Sequence, residues 1–253
     1  MTKFKLNKMR EIKNSEQDNV KQLLNYSDSR FRPAYPFIPS DAIDIIAEVK
    51  RSSPTQTLDT SAKAASQAIA YQNGGTAAIS VLTDSNFFSG SFEDLRDVCN
   101  AVTVPVLCKE FIYFKEQIEL AYRYGADMVL LIAQSLTDYE LTSLYEYAME
   151  RSVVPVVEIN RIEELDRVMA INPQIVMVNM RDLNTLVIDC NAGSKVLKQV
   201  PKSVLRISAS GINTSDDVKK ISTDTGVTVF LIGSALMKSG DPSCFVKELS
   251  SVL

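Results

Sequence analysis

The chain has 253 residues and a formal net charge of −4, and 23% of its residues are charged and 45% hydrophobic. These proportions are typical of a globular protein with one large domain or two small ones. Because the sequence contains no histidine, Ser-His and Cys-His dyads and imidazole metal ligands are excluded, and acid–base chemistry is left to Glu, Asp, Lys, Tyr or Cys.

The first 42 residues precede the first strand-like run. Residues 4–25 can form a helix, because apolar residues from Leu6 to Leu23 recur on related faces. Residues 30–41, RFRPAYPFIPSD, predict an extended crossing stiffened by proline. We expect residues 1–42 to form a helical extension that lies as a lid over one end of the remaining chain, with a cover over an active site as the alternative.

From residue 43 onward, short runs rich in Val, Ile and Leu recur along the chain. They are residues 42–50, 77–84, 104–111, 127–133, 154–160, 175–182, 204–210 and 227–234. Each run is apolar almost throughout and does not alternate cleanly with polar residues, which is typical of parallel strands covered on both faces. The longest continuous apolar stretch, residues 128–133, is too short to span a bilayer.

Amphipathic helical patterns lie between these runs. They cover residues 60–75, 114–125, 136–151, 161–170 and 214–222. Gly74-Gly75 and Gly125-Ala126 predict helix ends just before the next strand. Eight strands that alternate with helices, without a domain-sized linker, predict a single (β/α)8 TIM barrel over residues 43–253, preceded by the N-terminal helical extension. A doubly wound open sheet is the rival, but the eight units and the absence of G-x-G-x-x-G disfavour it.

Polar and charged residues stand at the C-terminal ends of several predicted strands, where a barrel enzyme assembles its active site. They are Glu48, Lys50, Lys109, Glu110, Glu158, Asn179, Arg181, Asp182, Ser208 and Ser210. The period of a strand places Glu48 with Lys50, and Asn179 with Arg181, on one face. Since an unpaired buried charge is costly, we interpret the set as an active site. The alternative is that these residues simply begin solvated loops.

Two short segments predict a phosphate site. Ser210-Gly211-Ile212 follows the seventh strand, and Gly233-Ser234 follows the eighth. Loops at these places, with the N-terminus of a short helix, form the usual phosphate site of such barrels. Glycine there would let backbone N–H groups approach the phosphate oxygens.

The cysteines and the N-terminus bear on cellular context. The four cysteines, Cys99, Cys108, Cys190 and Cys244, form no C-x-x-C pair, which fits reduced thiols better than disulfides or a zinc site. The first twenty residues lack the apolar core of a signal peptide. The sequence also has no stripe of basic residues of the kind that binds nucleic acid. We therefore expect a cytoplasmic protein without membrane or nucleic-acid partners and without a bound metal, present as a monomer or weak oligomer.

An ordered set of segments resembles the indole-3-glycerol phosphate synthase family over nearly the whole chain from about residue 43. The matching segments are IAEVKRSSPT, SVLTDSNFFSGS, VPVLCKEF, GADMVLLIA, VVEIN, VNMRDLNT, SGI and FLIGSALM. The resemblance implies a carboxy-lyase of tryptophan biosynthesis that acts on 1-(2-carboxyphenylamino)-1-deoxyribulose 5-phosphate. The ring closes, carbon dioxide and water leave, and indole-3-glycerol phosphate forms without a metal or organic cofactor.

The resemblance also implies roles for five catalytic residues. Lys109 matches the general acid that protonates the ketone oxygen of the substrate. Glu158 matches a carboxylate that orients and charge-balances that lysine. Glu48 and Lys50 match a pair used for proton transfer and dehydration, with Lys50 also near the phosphate. Asn179 matches a hydrogen-bonding partner of the reacting hydroxyls.

Further positions match substrate-binding residues of the family. The positions implied for substrate and phosphate binding are Ser53, Arg181, Ser210, Gly211, Gly233 and Ser234. Phe88, Phe111 and Leu130 match an apolar wall against the anthranilate ring, although each could equally belong to the core.

One position departs from the family pattern. The family usually reads E-S-G at the end of the seventh strand, whereas this chain has Ala209-Ser210-Gly211. The missing carboxylate would help to stabilise the cationic intermediate. A degenerate barrel that binds a phosphorylated ligand or a partner subunit without catalysis is therefore one alternative. An isomerase of a related ribulose phosphate is another.

Overall fold

The structure, a computed structural model, describes residues 6–25, 29–53, 56–57 and 63–252. Eight parallel strands close into a barrel in which each strand pairs with the next and the eighth pairs with the first. They are β1 (Asp44–Val49), β2 (Ala78–Leu82), β3 (Val106–Lys109), β4 (Met128–Ile132), β5 (Val154–Ile159), β6 (Ile175–Asn179), β7 (Leu205–Ala209) and β8 (Val229–Ile232). The predicted TIM barrel is confirmed, and the open sheet is excluded.

Helices surround the barrel. Those of the described residues are α1 (Leu6–Leu24), α2 (Ala64–Asn73), α3 (Phe92–Ala101), α4 (Lys115–Arg123), α5 (Asp138–Glu150), α6 (Leu165–Met169), α7 (Cys190–Gln199), α8 (Ser215–Thr225), α9 (Ser234–Lys238) and α10 (Pro242–Ser250). Each predicted pattern contains one of these helices except 214–222, because α8 continues three residues further, to Thr225. Residues 4–5 and 60–62 lie outside the described part. A short antiparallel pair, Ser52–Ser53 with Gln56–Thr57, follows β1 and was not predicted.

Local sequence signals explain where the helices begin and end. Thr137 and Glu140 form a capping box at α5: the backbone N–H of Glu140 donates to the Thr137 hydroxyl at 3.3 Å, and the backbone N–H of Thr137 donates to Glu140 at 2.8 Å. Gly75 and Gly125 take left-handed φ angles of 85° and 91°, which glycine adopts without strain. Each stands just after a helix and before a strand, as the sequence predicts.

The N-terminal extension touches both ends of the barrel. Helix α1 packs against α4 and buries Leu6, Met9 and Val20 in the main core. The following segment, residues 29–43, passes the N-terminal ends of β3 and β4, where Arg30 and Arg32 form ion pairs with Asp127. No helix within the described ranges is both long and apolar enough to cross a membrane.

Candidate active site

One cavity opens at the C-terminal ends of the strands, and the predicted site residues meet there. The predicted residues that line it are Glu48, Lys50, Phe88, Lys109, Phe111, Leu130, Glu158, Asn179, Arg181, Ser210, Gly211, Gly233 and Ser234. Ser53 lies in the short antiparallel pair, and its side chain is outside the described part of the structure. The cavity lining therefore comes from seven of the eight strands and from the loops that follow them, as the topology of the barrel requires.

Glu48 bridges two lysines at the floor of this cavity. Its two carboxylate oxygens lie 2.6 Å from Nζ of Lys109 and 3.2 Å from Nζ of Lys50. Lys50 also donates to the hydroxyl of Ser234 at 2.8 Å. Glu48 and Lys50 are buried, while Lys109 keeps 16% of its side chain exposed. This contact changes the expected pairing, because the sequence matched Lys109 with Glu158 whereas its hydrogen bond goes to Glu48.

The cluster fixes the charge states of its members. Burial alone would raise the pKa of Glu48, but the positive charges of Lys109 and Lys50 lower it to about 2. Burial alone would lower the pKa of Lys109, but Glu48 and then Glu158 raise it above the usual value. Both groups are therefore ionised at neutral pH, and the lysine carries a proton that it can deliver.

Glu158, on β5, occupies a different environment from Glu48. Asn179 donates to its carboxylate at 3.0 Å, and the side chain is 3% exposed. Burial raises the pKa of Glu158, and the charge of Lys109 offsets only part of this effect. The Oδ1 atom of Asn179 accepts from the backbone N–H of Arg181 at 3.1 Å. Asn179 thus orients Glu158, and Asn179 is itself held in place by the backbone of the loop that follows β6.

The loops after β7 and β8 form the side of the cavity next to Lys50. Ser210 and Gly211 take left-handed φ angles of 68° and 76°, and a Cβ atom on Gly211 would lie 2.7 Å from Sγ of Cys190. Gly233 is also required for a reason that the sequence did not indicate. Its φ is −126°, and a Cβ atom there would lie 3.0 Å from Cδ of Glu48 and closer still to Oε1. Gly233 therefore makes room for the Glu48 carboxylate.

The opposite wall is apolar. The rings of Phe88 and Phe111 stack with centroids 6.4 Å apart, and Leu130 lies beside them in the cavity lining at 2% exposure. Leu82 and Ile132 also line this wall. They are in register with Lys109 and Glu158, so the period of the strands would have indicated them.

Three further lining residues, Leu183, Leu186 and Ile188, come from the loop after β6, and sequence analysis missed them. Asp182 shapes this loop, because its Oδ1 accepts from the backbone N–H groups of Asn184 and Thr185 at 2.8 Å each. Such a turn folds the loop back over the cavity. No pattern in the sequence singled out this turn, although an Asp followed two residues later by Asn-Thr, as in Asp182-Leu183-Asn184-Thr185, is a suitable signal for one.

The side chains of Ser208 and Ala209, the last two residues of β7, point to opposite faces of the sheet. Ala209 is in register with Asn179 and Leu231, hence on the inward face, and is 1% exposed. Ser208 is also buried, but strand alternation turns it outward toward the helices. Ser208 therefore stands apart from the cavity despite its place at a strand end.

Comparison with known proteins identifies the family. The family model for indole-3-glycerol phosphate synthase matches residues 2–249. The chain belongs to the indole-3-glycerol phosphate synthase family. The indole-3-glycerol phosphate synthase of Staphylococcus saprophyticus is 39% identical over 210 residues, which cover 83% of this chain and 80% of that protein. The enzyme of the same name from Staphylococcus haemolyticus is 37% identical over 231 residues, or 91% and 88% of the two chains.

Solved structures with lower identity share the fold. A crystal structure of 3-hexulose-6-phosphate synthase aligns with a TM-score of 0.66 at 15% identity and covers 83% of this chain and 100% of that one. Thiamine phosphate pyrophosphorylase from Pyrococcus furiosus aligns with a TM-score of 0.61 at 14% identity, over 83% and 95% of the two chains.

The predicted resemblance to the indole-3-glycerol phosphate synthase family is confirmed. The family model and the names of the relatives support the activity of a carboxy-lyase in tryptophan biosynthesis. Neither alternative, the binding-only barrel or the isomerase, is favoured by them.

Proposed function

We propose that this chain converts 1-(2-carboxyphenylamino)-1-deoxyribulose 5-phosphate to indole-3-glycerol phosphate, carbon dioxide and water. The observation that carries the proposal is the Lys109–Glu48–Lys50 cluster at the floor of a cavity with two unlike walls. One wall is apolar and suits an aromatic ring. The other is built from the loops after β7 and β8 and suits a phosphate.

These walls fix the direction of the substrate. The anthranilate ring would pack against Phe88 and Phe111, which lie on the β2 and β3 side. The phosphate would bind at Ser210, Gly211 and Ser234. Two cations, Lys50 and Arg181, also line the cavity and offset the negative charges of the phosphate and the carboxylate. The ketone in the middle of the substrate is then placed over Lys109.

Lys109 would act as the general acid for ring closure. The ring carbon that bears the carboxylate attacks the ketone carbon, and the ketone oxygen takes a proton from the Lys109 ammonium. The adjacent nitrogen carries the resulting positive charge and serves as the electron sink when the carboxylate leaves as carbon dioxide. Glu48 is ionised before this step, since the two lysines lower its pKa to about 2, and it holds both lysines in place.

The last step removes water and forms the aromatic ring. The new hydroxyl leaves with a proton from Lys50, and a proton is lost from the neighbouring carbon that becomes part of the indole. We assign the acceptance of that proton to Glu158 and not to Glu48, which the resemblance implies, because burial raises the pKa of Glu158 whereas the two lysines lower that of Glu48. Lys109 and Lys50 donate two protons to the substrate and Glu158 accepts one from it, so one proton is consumed per turnover.

The direct test is to incubate the purified protein with this substrate and follow indole fluorescence and carbon dioxide release. We expect one carbon dioxide for each indole-3-glycerol phosphate formed. Binding of the substrate without any product would replace the proposal with the binding-only barrel. Rearrangement of the ribulose phosphate without loss of carbon dioxide would replace it with the isomerase.

We further infer that the protein acts in the cytoplasm as a monomer or weak oligomer. All four cysteines are free thiols, and Cys99 and Cys108 are buried, which suits a reducing compartment. Sedimentation at micromolar concentration tests the oligomeric state, and a stable dimer would contradict it.

A further inference from the structure

One lysine of the N-terminal helix lies where a charge is unusual. Lys13 of α1 is only 2% exposed, although an amphipathic helix normally keeps lysine in solvent. Its ammonium lies 2.7 Å from Oδ2 of Asp84, 3.0 Å from Oε1 of Glu110 and 2.9 Å from Oε2 of Glu16. Asp84 and Glu110 are themselves 0% and 3% exposed. A cation from the extension thus compensates two buried carboxylates of the barrel.

Those two carboxylates belong to the segments that build the active site. Asp84 stands two residues after the end of β2, and Glu110 directly follows Lys109, the last residue of β3. The backbone N–H of Phe87 donates to Asp84 Oδ1 at 2.7 Å, and the backbone N–H of Phe111 donates to Glu110 Oε1 at 2.7 Å. The carboxylates that Lys13 binds therefore fix the backbone on both sides of the aromatic wall and beside the general acid.

A second contact ties the two segments together. The hydroxyl of Thr83, just after β2, donates to Glu110 Oε2 at 2.9 Å. Lys13 and Thr83 together occupy both oxygens of Glu110, so the ends of β2 and β3 are joined through one carboxylate. Loss of the cation would leave two carboxylates buried side by side, which is unfavourable unless one is protonated or the segments move.

Anchoring of α1 does not require this arrangement. The same helix is held by Arg10, whose guanidinium contacts both oxygens of Glu140 at 2.6 and 2.9 Å on the flank of the barrel. It is also held by the buried side chains of Leu6, Met9 and Val20. An apolar residue at position 13 facing apolar partners would anchor the helix with a smaller desolvation cost. The buried ion cluster therefore points to a purpose at the active-site end.

We propose that Lys13 is a positioning residue for catalysis: by neutralising Asp84 and Glu110, it holds the segments after β2 and β3 in the conformation that places Phe88, Phe111 and Lys109 around the substrate. This inference rests on the proposed function for its kinetic consequence, and the structural consequence can be measured without turnover. A displacement of about 1 Å at the reacting groups can lower a rate by roughly 10²-fold.

The test compares Lys13→Met with Lys21→Met, the same change on the same helix at an exposed lysine that lies 3.9 Å from Glu116. In Lys13→Met we expect kcat to fall about 10- to 100-fold, while the affinity for inorganic phosphate stays unchanged because the loops after β7 and β8 are untouched. In Lys21→Met we expect kcat within about twofold of the wild type, since neither Lys21 nor Glu116 lines the cavity. Glu110→Gln added to Lys13→Met should recover part of kcat, because it removes one uncompensated charge.

Amide hydrogen exchange supplies the readout that does not depend on activity. The N–H groups of Phe87 and Phe111 should exchange faster in Lys13→Met than in the wild type, and should be unchanged in Lys21→Met. If Lys13→Met does not fold, the double variant carries the same comparison. Unchanged exchange at both amides, or an equal loss of kcat in Lys21→Met, would overturn the proposal. A wild-type protein without turnover would instead refute the proposed function and leave the exchange result to decide the role of Lys13.

Discussion

Two buried clusters at opposite ends of the barrel share one charge pattern, a carboxylate between two cations. At the C-terminal ends of the strands, Glu48 lies between Lys50 and Lys109. At the N-terminal ends, Asp127 lies between two arginines of the crossing segment. The two clusters are equal in charge and both are buried, so burial and charge alone do not explain why only one of them lines a cavity.

The difference lies in how many hydrogen-bonding groups are already used. Asp127 also accepts from the backbone N–H of Val106 at 2.9 Å. Arg32 donates to the carbonyl of Gly125 at 2.8 Å, and Arg30 donates to the same carbonyl at 3.0 Å. The planar guanidinium has five donors in a fixed arrangement, and here they join separate pieces of backbone. This cluster closes the base of the barrel.

The lysine cluster at the C-terminal end leaves capacity for a ligand. Lys109 has three N–H donors, and within the described residues its hydrogen bond to Glu48 accounts for one of them. An ammonium on a flexible chain can also turn toward a bound ligand and give up a proton, which arginine does not do. Two clusters of equal charge therefore have different roles. The arginine cluster, in which every guanidinium nitrogen is hydrogen-bonded, stabilises the structure, whereas the lysine cluster, whose donors face a cavity, is available for chemistry.

The largest expected effect is the loss of kcat when a cation is removed from the cluster at the cavity. Lys109→Met should lower kcat by about 10²–10⁴, the usual contribution of a positioned proton donor, with little change in Tm because Glu48 keeps Lys50. Steady-state kinetics measure this effect. Lys198→Met, which breaks an exposed pair with Asp224, is the control and should leave kcat unchanged. Near-wild-type turnover in Lys109→Met would remove its role as general acid.

The opposite outcome is expected at the base of the barrel. Asp127→Asn leaves two buried guanidinium groups without their carboxylate, so the free energy of unfolding should fall by about 3–5 kcal/mol. Turnover of the protein that remains folded should stay within about twofold, because the cluster is at the far end of the barrel. Urea unfolding and kcat measure the two effects. Asp224→Asn at the exposed pair should cost no more than about 1 kcal/mol, and an equal loss there would contradict the assignment.

Acid should weaken the cavity cluster within a defined window. The pKa of Glu48 falls from its ordinary value of 4.5 to about 2 in the folded protein. Its stabilising contribution is therefore fully present above pH 4.5 and is lost as the pH falls through about 2. The difference in unfolding free energy between the wild type and Glu48→Gln should shrink over this range by on the order of 3 kcal/mol. A difference that stays constant with pH would show that the ion pairs do not set this pKa.

The smallest change concerns Ala209, at the position where the family resemblance implies a glutamate. Ala209 shares the inward face with Asn179, so Ala209→Glu would return a carboxylate to the side of the cation that forms on ring closure. We expect kcat to rise by up to roughly 10²-fold with a smaller change in KM, and Ala209→Gln, matched in size, to give no such gain. Single-turnover kinetics separate the chemical step. Since Ala209 is 1% exposed, an unchanged or slower step in a folded Ala209→Glu would mean that the site has reorganised around the alanine.

Much of the site could be predicted because it depends on strand ends. In a parallel barrel every C-terminal strand end faces the same side, so a polar residue such as Glu158 or Asn179 at the end of an apolar run belongs there whatever the loops do. Contacts between residues far apart in sequence could not be predicted in this way. The sequence matched Lys109 with Glu158, whereas the hydrogen bond goes to Glu48, and the requirement for Gly233 comes from the Glu48 carboxylate.

The sequence by itself determined the eight strands, their parallel order and the end of the barrel that holds the site. These features follow from local patterns: apolar runs of strand length, amphipathic segments between them and glycines at the helix ends. Only the tertiary structure decided which charges meet. Lys13 looks like an ordinary solvent-facing lysine of an amphipathic helix, and it becomes a buried partner of Asp84 and Glu110 only when α1 packs against the barrel. Ion pairing depends on distances of a few ångströms in space, and the local sequence does not encode these distances.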